Sequence, residues 1–585
     1  MNIVGIEAPA PKKAIMPSRR LGLACLILLT GIVALWAVPV TRPLDLPNWH
    51  EFDDAAMARN FIREPTSIFF PRIDWRRDGP GFVESEFPLY PWLVSQCYRV
   101  GGVNVIYGRI IALLAMIGAL LFFTLLARSL LPEVGALTAV LLFGTNRIVN
   151  FVSTALQPEA FMLFFYLAAI YGFLQWRAHR SWRTYTWTIL AVSLAILEKS
   201  PAAHLGIFFL LVLFWEEGWA FLKSFSNWCF AVLSLILPFL WYAHAYRLWT
   251  AYGNSLGISN ENHWIGWDIL RNLSRPLGLA MIEALFVFAV GGILLACLGA
   301  LNWRSRTVKL LFLWFASIAL YYVLAIRTTG SLWAWYYHVV SVAPAALLCG
   351  AGVARVLNGS CRFRELVSGA AISAFSLWLL LQNIGQLKHG PGSSLVSALT
   401  LAKYSPLQNL ALVTFCIVAV LLLAWLRLDG ASRPTAKAAP VSAFVCAAGI
   451  SGYLFVSGHM IASDRALYDS PSPEMLCANE FRPAIPEGAL ILTSGGICGD
   501  SSGHKAASDA PHMFYWLDRK GFSMCIGEQS LQKVLSFSDR GASYFVAEKI
   551  PVRSQPGFEI ALKSHFTLIS ECSAAWLFDL RRPSH

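Results

Sequence analysis

Residues 21–38 read LGLACLILLTGIVALWAV, an uncharged run that is long enough to cross the hydrocarbon core of a bilayer as a helix. The run is longer than a typical signal-peptide core, and it contains no small-x-small cleavage site. Four basic residues precede it, and they are Lys12, Lys13, Arg19 and Arg20. We therefore predict a retained first transmembrane helix, with residues 1–20 forming a cytoplasmic tail.

Comparable apolar runs recur along most of the chain of 585 residues. Hydrophobic residues make up 56% and charged residues 14%, whereas a soluble domain has about 25% charged residues. This composition excludes a soluble enzyme, a disordered chain, a collagen-like fibre and a small disulfide scaffold. We predict a polytopic α-helical membrane protein with about thirteen transmembrane helices. Their spans lie near residues 21–38, 104–127, 133–150, 158–176, 185–199, 204–222, 228–246, 277–301, 308–326, 336–357, 366–388, 406–428 and 441–461.

Basic residues cluster at every second loop between these spans, which is the distribution expected of loops on the cytoplasmic side. The clusters are Arg177, Arg180 and Arg183; Arg304, Arg306 and Lys309; Arg355, Arg362 and Arg364; and Arg427, Arg433 and Lys437. The formal net charge of +12 therefore reflects membrane topology and does not indicate nucleic-acid binding. An odd number of spans places the C-terminus on the outer side.

Three segments are too long and too polar to be simple turns, and all three fall on the outer side in this topology. They are the loop 39–103, the loop 247–276 and the tail 462–585. We divide the chain into a transmembrane domain over residues 21–461, whose loop 39–103 carries interfacial helices, and a small external α/β domain over residues 462–585. The chemistry is expected on the outer face.

The tail has the patterns of a mixed α/β domain. The predicted strands are Ala489–Thr493, Ser543–Ala547 and Ala574–Asp579, and the predicted helices are Met513–Lys520 and Ser530–Phe537. Its four cysteines are Cys477, Cys498, Cys525 and Cys572. An even number of cysteines in an oxidising compartment permits two disulfides, with three pairings open.

Motifs for other enzyme classes are missing from the sequence. It has no Walker-type loop, no nucleotide-binding glycine fingerprint, no HExxH and no Gly-x-Ser-x-Gly. ATP-driven transport and hydrolysis by serine or zinc therefore have no support. Four tail residues have side chains that bind metals, and they are Asp500, His504, Asp509 and His512. Their spacing fits no strong metal signature, so a polar loop is favoured.

Ionisable side chains gather where the predicted helices meet the outer interface. Asp53 and Asp54 precede an alanine-rich helical stretch, Glu159 opens a span, and Lys199 lies between two spans. Each has an ordinary explanation, because carboxylates stabilise helix N-termini and Glu198 can pair with Lys199. Alternatively, one acid of the Asp53–Asp54 pair is a general base, and Lys199 binds a phosphate near the lipid headgroups.

Further cationic and aromatic side chains fall on the same side. Arg271 and Arg275 lie in the second large loop, and Tyr336, Tyr337 and His338 open a later span. Aromatic residues at a span end are typical of an interfacial belt, and arginines in such a loop can bind lipid phosphate.

Taken together, these residues resemble the C-type glycosyltransferase superfamily, and in particular its protein O-mannosyltransferase and lipid A aminoarabinose transferase branch. The resemblance covers about residues 20–460 in architecture. An acidic pair begins the helix of that family's first external loop, as DDAAMAR does at residues 53–59, although the second acid there is usually Glu. The segment EFPLYPWL at residues 86–93 aligns with a Lys-Pro-Pro-Leu type segment, but Glu86 replaces the lysine, so no cationic role carries over.

The remaining matches follow the same order as in the family. Glu159 matches the acid that opens the fourth span, and KSP at residues 199–201 matches a Lys-Gly-Pro segment. Tyr336 or Tyr337 matches an aromatic residue near the donor phosphate. In the tail, YWLDRKGF at residues 515–522 resembles a segment of bacterial relatives. No single motif is specific. The resemblance rests on the order of these motifs along the chain and on their shared position on the outer side of the membrane.

The resemblance implies an enzyme of the bacterial inner membrane whose N-terminus is cytoplasmic and whose C-terminus is periplasmic. It would move a sugar from a polyprenyl phosphate to a hydroxyl of a lipid, glycan or protein, with inversion at the sugar carbon. The implied catalytic residues are Asp53 as the base, Asp54 and Glu159. The implied donor-phosphate residues are Lys199, Arg271, Arg275, Tyr336, Tyr337 and His338, and Glu86 would contact sugar or acceptor. A divalent metal is compatible with this set but is not required.

Two other classes of protein stay open from the sequence. A transporter or lipid flippase would carry its ionisable residues in the middle of helices, whereas the residues here lie at helix ends. A non-catalytic envelope scaffold would use the tail to bind proteins, and it would tolerate loss of the acidic pair.

Overall fold

The computed structural model describes residues 19–258, 274–358, 438–499 and 509–583. Helices dominate the described residues up to 466, and the described residues of the tail are mixed. The helices of the first part are α1 (Arg19–Ala37), α2 (Trp49–Arg63), α3 (Leu89–Gly101), α4 (Val105–Leu130), α5 (Glu133–Gly144), α6 (Arg147–Val152), α7 (Glu159–His179), α8 (Trp182–Glu198), α9 (His204–Glu217), α10 (Phe225–Tyr252), α11 (Ser274–Ile282), α12 (Gly291–Ala300), α13 (Arg306–Leu324), α14 (Ile326–Thr329), α15 (Val339–Leu357) and α16 (Ala438–Ala466).

Seven helical segments in the described ranges are long and apolar enough to cross a membrane, or eight if one bent pair counts as a single span. The seven are Val105–Leu130, Glu159–His179, Ser200–Lys223, Phe225–Tyr252, Arg306–Leu324, Leu332–Leu357 and Phe444–Ala466. The bent pair is Arg275–Val287 with Gly291–Ala300, whose axes differ by 96°. The chain is thus a multi-pass helical membrane protein.

Several of the thirteen predicted spans differ from these helices. The predicted span 133–150 is divided between α5, which has 12 residues, and the short α6. The predicted span 185–199 corresponds to α8, which has 17 residues. The predicted span 277–301 is broken near Ala289 and Val290, both of which have positive φ angles. The predicted spans 366–388 and 406–428 lie outside the described residues.

Close packing in the bundle rests on small residues where helices meet. The span Leu332–Leu357 is the most enclosed of the seven, with 89% of its apolar window buried. It contacts α5 at Gly350 and Gly135, where a Cβ added to Gly135 would lie 2.7 Å from the Gly350 carbonyl oxygen. Because lipid tails are as apolar as leucine, such close backbone approach is what holds membrane helices together.

Ion pairs fix which helix ends share a side of the bundle. Arg177 at the end of α7 and Arg306 at the start of α13 both pair with Glu216 at the end of α9. Glu159 begins α7, so it lies at the opposite end of the bundle from this basic cluster. The structure therefore separates a basic end from the end that carries the candidate site.

The tail contains a five-stranded sheet in the order β2-β1-β3-β5-β4. The inner strand β1 is parallel to β2 and β3, whereas β5 is antiparallel to β3 and β4. Two disulfides, Cys477–Cys572 and Cys498–Cys525, select one of the three pairings. The elements are α17 (Pro473–Phe481), β1 (Leu490–Ser494), α18 (Pro511–Leu517), β2 (Lys520–Met524), α19 (Leu531–Ser538), β3 (Ala542–Glu548), α20 (Lys549–Arg553), α21 (Phe558–His565), β4 (Phe566–Glu571) and β5 (Ala575–Pro583).

The tail docks directly on α2 through arginine contacts. Arg59 donates to Asp74 at 2.5 Å and to the Tyr515 carbonyl at 2.9 Å, and it pairs with Asp518 at 2.9 Å. Arg63 also pairs with Asp518. Since Arg59 is 5% exposed, its charge depends on these partners for compensation.

We expect Arg59→Ala to lower the free energy of unfolding by about 3–5 kcal/mol, because it leaves the buried Asp74 without its cation. Thermal unfolding of the purified protein in detergent measures this loss. The control is Arg553→Ala, since Arg553 forms an exposed pair with Glu559 that contributes at most ~1 kcal/mol. Equal stability of the two variants would show that Arg59 does not hold the tail.

Candidate active site

The helix α2 carries both members of the acidic pair and is enclosed between the bundle and the tail. Ten of its 15 residues are buried, on more than one face. Phe52 makes edge-to-face contacts with Tyr515 and Trp516 of the tail. The Trp516 indole also donates to the Leu44 carbonyl at 3.0 Å. The helix α2 is therefore held between the bundle and the tail.

Asp53 is half-buried and has one close hydrogen bond. The Trp75 indole N–H donates to Asp53 Oδ1 at 2.8 Å. Burial raises the pKa of Asp53 to about 7, against the Trp75 hydrogen bond and the nearby His50, and Asp54 and Asp509 add to the increase. Its second oxygen, Oδ2, has no hydrogen-bond partner among the described residues. A carboxylate with a pKa near neutrality and such an oxygen can accept a proton in a reaction.

Asp54 points the other way, toward an imidazole. Its Oδ2 lies 3.2 Å from His50 Nδ1, one helical turn earlier on α2. Burial raises the pKa of Asp54 to about 6, although the contact with His50 opposes the change. Burial and the Lys199 ammonium lower the pKa of His50, but Asp54 and Glu159 outweigh them and raise it to about 9. The two adjacent aspartates thus have different partners.

Lys199 is the centre of the second half of the site. It follows α8, is 2% exposed, and lies 3.0 Å from both Glu86 and Glu159. Its Nζ is also 3.1 Å from His50 Nε2 and 5.2 Å from the centre of the Tyr337 ring. The structure therefore brings Asp54, Glu86, Glu159, Lys199 and Tyr337 together from five separate segments.

Glu198 adds a further carboxyl group to this cluster. It is fully buried, and neither of its oxygens has a hydrogen-bond partner among the described residues. The salt bridge between Glu198 and Lys199 that the sequence made plausible is not formed, because the lysine turns to Glu86 and Glu159. The cluster is consequently richer in acids than in bases.

The residues around the start of α15 divide into two groups. The rings of Tyr336 and Tyr337 are tilted by 34° with their centres 4.9 Å apart, and Tyr337 faces Lys199. His338 instead turns into the packed interior, where its ring nitrogens contact Glu283 at 2.7 Å and the Thr329 carbonyl at 2.9 Å. These two bonds occupy both nitrogens of His338.

Two arginines were predicted to bind the donor phosphate. Arg275 donates to Ser331, just before the turn that carries Tyr336 and Tyr337. Arg271 lies outside the described residues.

Glu51, Arg42 and Arg109 form a second buried ion cluster, which the sequence analysis missed. Glu51 pairs with Arg42 at 2.5 Å and accepts two longer bonds from Arg109 at 3.5 Å. Arg109 also donates to the carbonyls of Thr154 and Pro43. This cluster fixes the start of α2 against α4, and the lone charge of Arg109 within an apolar run was the signal that could have revealed it.

No group of three His, Cys, Asp or Glu side chains in the described ranges is arranged to hold a metal ion. Of the four tail residues considered, Asp500 and His504 lie outside those ranges. His512 contacts Glu548 at 2.9 Å and packs against Trp49 and Phe52. Asp509 is the tail acid whose charge acts on Asp53.

The fold is shared with membrane enzymes of known structure. ArnT from Cupriavidus metallidurans, bound to undecaprenyl phosphate, superposes with a TM-score of 0.56 over 95% of this chain and 97% of that chain, at 14% identity. The Archaeoglobus fulgidus oligosaccharyltransferase in its apo form superposes with a TM-score of 0.52. The match covers 92% of this chain and 72% of that chain, at 12% identity. The chain therefore shares its fold with these two proteins, and both carry the fold that the predicted resemblance implies.

A sequence model of the dolichyl-phosphate-mannose-protein mannosyltransferase family matches residues 82–242 of the chain. The matched segment contains Glu86, Glu159 and Lys199, but it begins after the acidic pair. No protein of curated function matches the chain by sequence.

Proposed function

We propose that this protein transfers a sugar from a polyprenyl-phosphate donor to a hydroxyl group of a cell-envelope acceptor, with Asp53 as the general base. The observation that carries the proposal is the placement of two unlike aspartates. Asp53 has one carboxylate oxygen without a partner among the described residues and a pKa of about 7, while Asp54 faces His50 and Lys199. One half of the site can take a proton, and the other half can balance negative charge.

The proposed reaction follows from this division. Asp53 accepts the proton of the acceptor hydroxyl as its oxygen attacks the anomeric carbon, and the lipid phosphate leaves. Lys199 and Tyr337 stabilise the charge that develops on the phosphate, with Glu86 and Glu159 holding the ammonium in position. One carboxylate in line with the leaving group gives inversion at the sugar carbon.

The position of the site relative to the basic cluster supports a reaction on the outer face of the bacterial inner membrane. The site lies at the end of α7 opposite the Arg177–Glu216 cluster, which the basic-loop pattern assigns to the cytoplasm. The tail, with its two disulfides, packs beside the site, and disulfides persist in oxidising compartments such as the periplasm. ArnT was solved with a carrier lipid, undecaprenyl phosphate, and a donor of that class would keep its isoprenoid tail in the bilayer while reacting at the interface.

The direct test is sugar transfer by the purified full chain in liposomes that contain polyprenyl-phosphate sugars. A labelled sugar should appear on an envelope acceptor, and mass spectrometry of the envelope glycans of a deletion strain names the missing sugar and its acceptor. Movement of the lipid across the liposome without any transfer would contradict the proposal and favour a flippase.

The rate of transfer is expected to depend on pH because a general base must be ionised. Below pH 7 the Asp53 carboxyl takes a proton, so kcat/KM should fall about tenfold for each pH unit. Trp75→Phe removes the hydrogen bond that lowers the pKa of Asp53. In this variant the fall in kcat/KM on the acidic side of the pH profile should therefore begin at a higher pH. If the fall in kcat/KM of Trp75→Phe began at the same pH as in the wild type, or at a lower pH, Asp53 would not be the general base.

A further inference from the structure

A cavity of about 440 Å³ lies between the ends of α1, α5 and α16. Its volume is in the range of ligand pockets, which is roughly 300–1,000 Å³. The cavity reaches the protein surface, because several residues of α16 that line it are exposed. The lining residues that matter here are Leu35, Thr145, Gly458, Ile461, Arg465 and Asp469.

The cavity shares the end of the bundle that carries the candidate site. Tyr468 lies between Arg465 and Asp469 in the chain, and the centre of its ring is 4.6 Å from the guanidinium carbon of Arg42. Arg42 in turn pairs with Glu51 at the start of α2. In the predicted topology this end of the bundle faces the outer headgroup region, so the ligands that reach the cavity include the lipids of the bilayer.

Arg465 brings a positive charge to the cavity without a carboxylate partner among the described residues. Its Nη2 donates to the Leu35 carbonyl at 2.9 Å, and its Nε is buried with no hydrogen-bond partner in the described ranges. The preceding acid, Asp464, is already engaged, since Arg147 donates to both of its oxygens at 2.7 Å. A guanidinium has five N–H donors, so Arg465 retains donors for a phosphate.

Asp469 adds a negative charge to the same cavity, and the rest of the wall is largely apolar. The Asp469 side chain is exposed and has no hydrogen bond or ion pair within the described part of the chain. A ligand that matches both charges carries a phosphate, an ammonium that donates hydrogen bonds, and hydrocarbon. A purely anionic headgroup would leave the carboxylate unmatched, and a trimethylated ammonium has no N–H to donate to it.

We propose that this cavity binds phosphatidylethanolamine, with the phosphate at Arg465, the ammonium at Asp469 and the acyl chains along Leu35 and Ile461. The site is separate from the Lys199 cluster, and it does not depend on the proposed function. Because its lining comes from α1, α5 and α16, the bound lipid joins these helices at the point where α16 leads into the tail.

The first test compares headgroups. The purified and delipidated full chain is titrated with phosphatidylethanolamine, phosphatidylglycerol and phosphatidylcholine, and native mass spectrometry counts the bound lipids. Phosphatidylethanolamine should bind about tenfold more tightly than the other two, because it alone satisfies both charges with hydrogen bonds. Equal affinities for the three lipids would overturn the proposal. Tighter binding of undecaprenyl phosphate at this cavity would also overturn it and would assign the cavity to a polyprenyl chain.

The second test fills the cavity. A Cβ added to Gly458 would meet no atom within 4 Å, so the side chain of Gly458→Leu can occupy the cavity without displacing a helix. We expect this variant to bind phosphatidylethanolamine at least tenfold more weakly and to remain folded. The matched control is Gly206→Leu on α9, because Gly206 is also exposed with no atom within 4 Å of an added Cβ, and it does not line the cavity. Equal binding by both variants would overturn the site.

Two charge variants test the assignment of the headgroup. Asp469→Asn should remove the preference for phosphatidylethanolamine over phosphatidylglycerol, whereas Arg465→Gln should weaken the binding of both lipids. A preference that persists in Asp469→Asn would overturn the proposal. None of these measurements involves turnover, so a failure of the lipid site leaves the proposed function intact. Normal lipid binding by a protein that transfers no sugar would contradict the proposed function alone.

Discussion

Asp53→Asn is expected to lower the rate of sugar transfer by about 10²- to 10⁴-fold while leaving the protein folded. The amide keeps the shape of the carboxyl and can still accept from the Trp75 indole, but it cannot take a proton at neutral pH. Transfer from a radiolabelled polyprenyl-phosphate sugar measures the loss, and thermal unfolding confirms that the fold is retained. Asp53→Ala should be at least as inactive.

A matched control is available in the same loop. Asp78 is an exposed acid that pairs with Arg540 of the tail and lies outside the cluster around Lys199. Asp78→Asn should therefore transfer sugar at close to the wild-type rate. If Asp53→Asn and Asp78→Asn were equally active, the general base would have to be another residue.

Lys199→Met is expected to abolish transfer and also to destabilise the protein. The methionine fills a similar volume but leaves Glu86 and Glu159 facing each other without a cation. Breaking a buried pair from one side typically costs about 3–5 kcal/mol, because an uncompensated charge stays buried. Denaturation of the purified variant measures the loss of stability.

Two further variants separate the two effects of Lys199→Met. Lys563→Met removes a lysine from an exposed pair with Glu559 and should change stability by less than ~1 kcal/mol. Adding Glu86→Gln and Glu159→Gln to Lys199→Met should restore much of the stability without restoring transfer. Restored transfer in that triple variant would show that the lysine has no part in the reaction.

The parts of the fold that follow from local sequence could be predicted, and the parts that depend on distant partners could not. Apolar runs such as residues 104–127 correspond closely to helices such as Val105–Leu130, because bilayer thickness sets their length. In the tail, β2 was missed, and its first residue, Lys520, was assigned to a helix. That helix ends earlier because Asp518 adopts a left-handed conformation with φ of 58°. The edge strand β4 was missed because Phe566 is the one buried residue in it, so it lacks a clear alternating pattern.

The candidate site shows the same division. The acidic pair, Glu159 and Lys199 could be singled out because they all fall on the outer side in the predicted topology, where an ionisable group beside a span is a functional candidate. Their partners do not: neither the Trp75 hydrogen bond to Asp53 nor the pairing of Glu86 with Lys199 can be deduced from spacing. Glu86, which replaces the lysine expected from the family resemblance, contacts a different lysine in the folded chain.

The docking of the tail on α2 bears on how such enzymes can be recombined. Arg59 and Arg63 reach from the helix of the acidic pair to Asp518, and Trp516 reaches back to the turn before that helix. A chimera that exchanges the tail alone would separate these partners and loosen the helix that orients Asp53. Interchangeable tails would have to carry the aspartate and the tryptophan together with a compatible first loop, so the two segments should be inherited as one module.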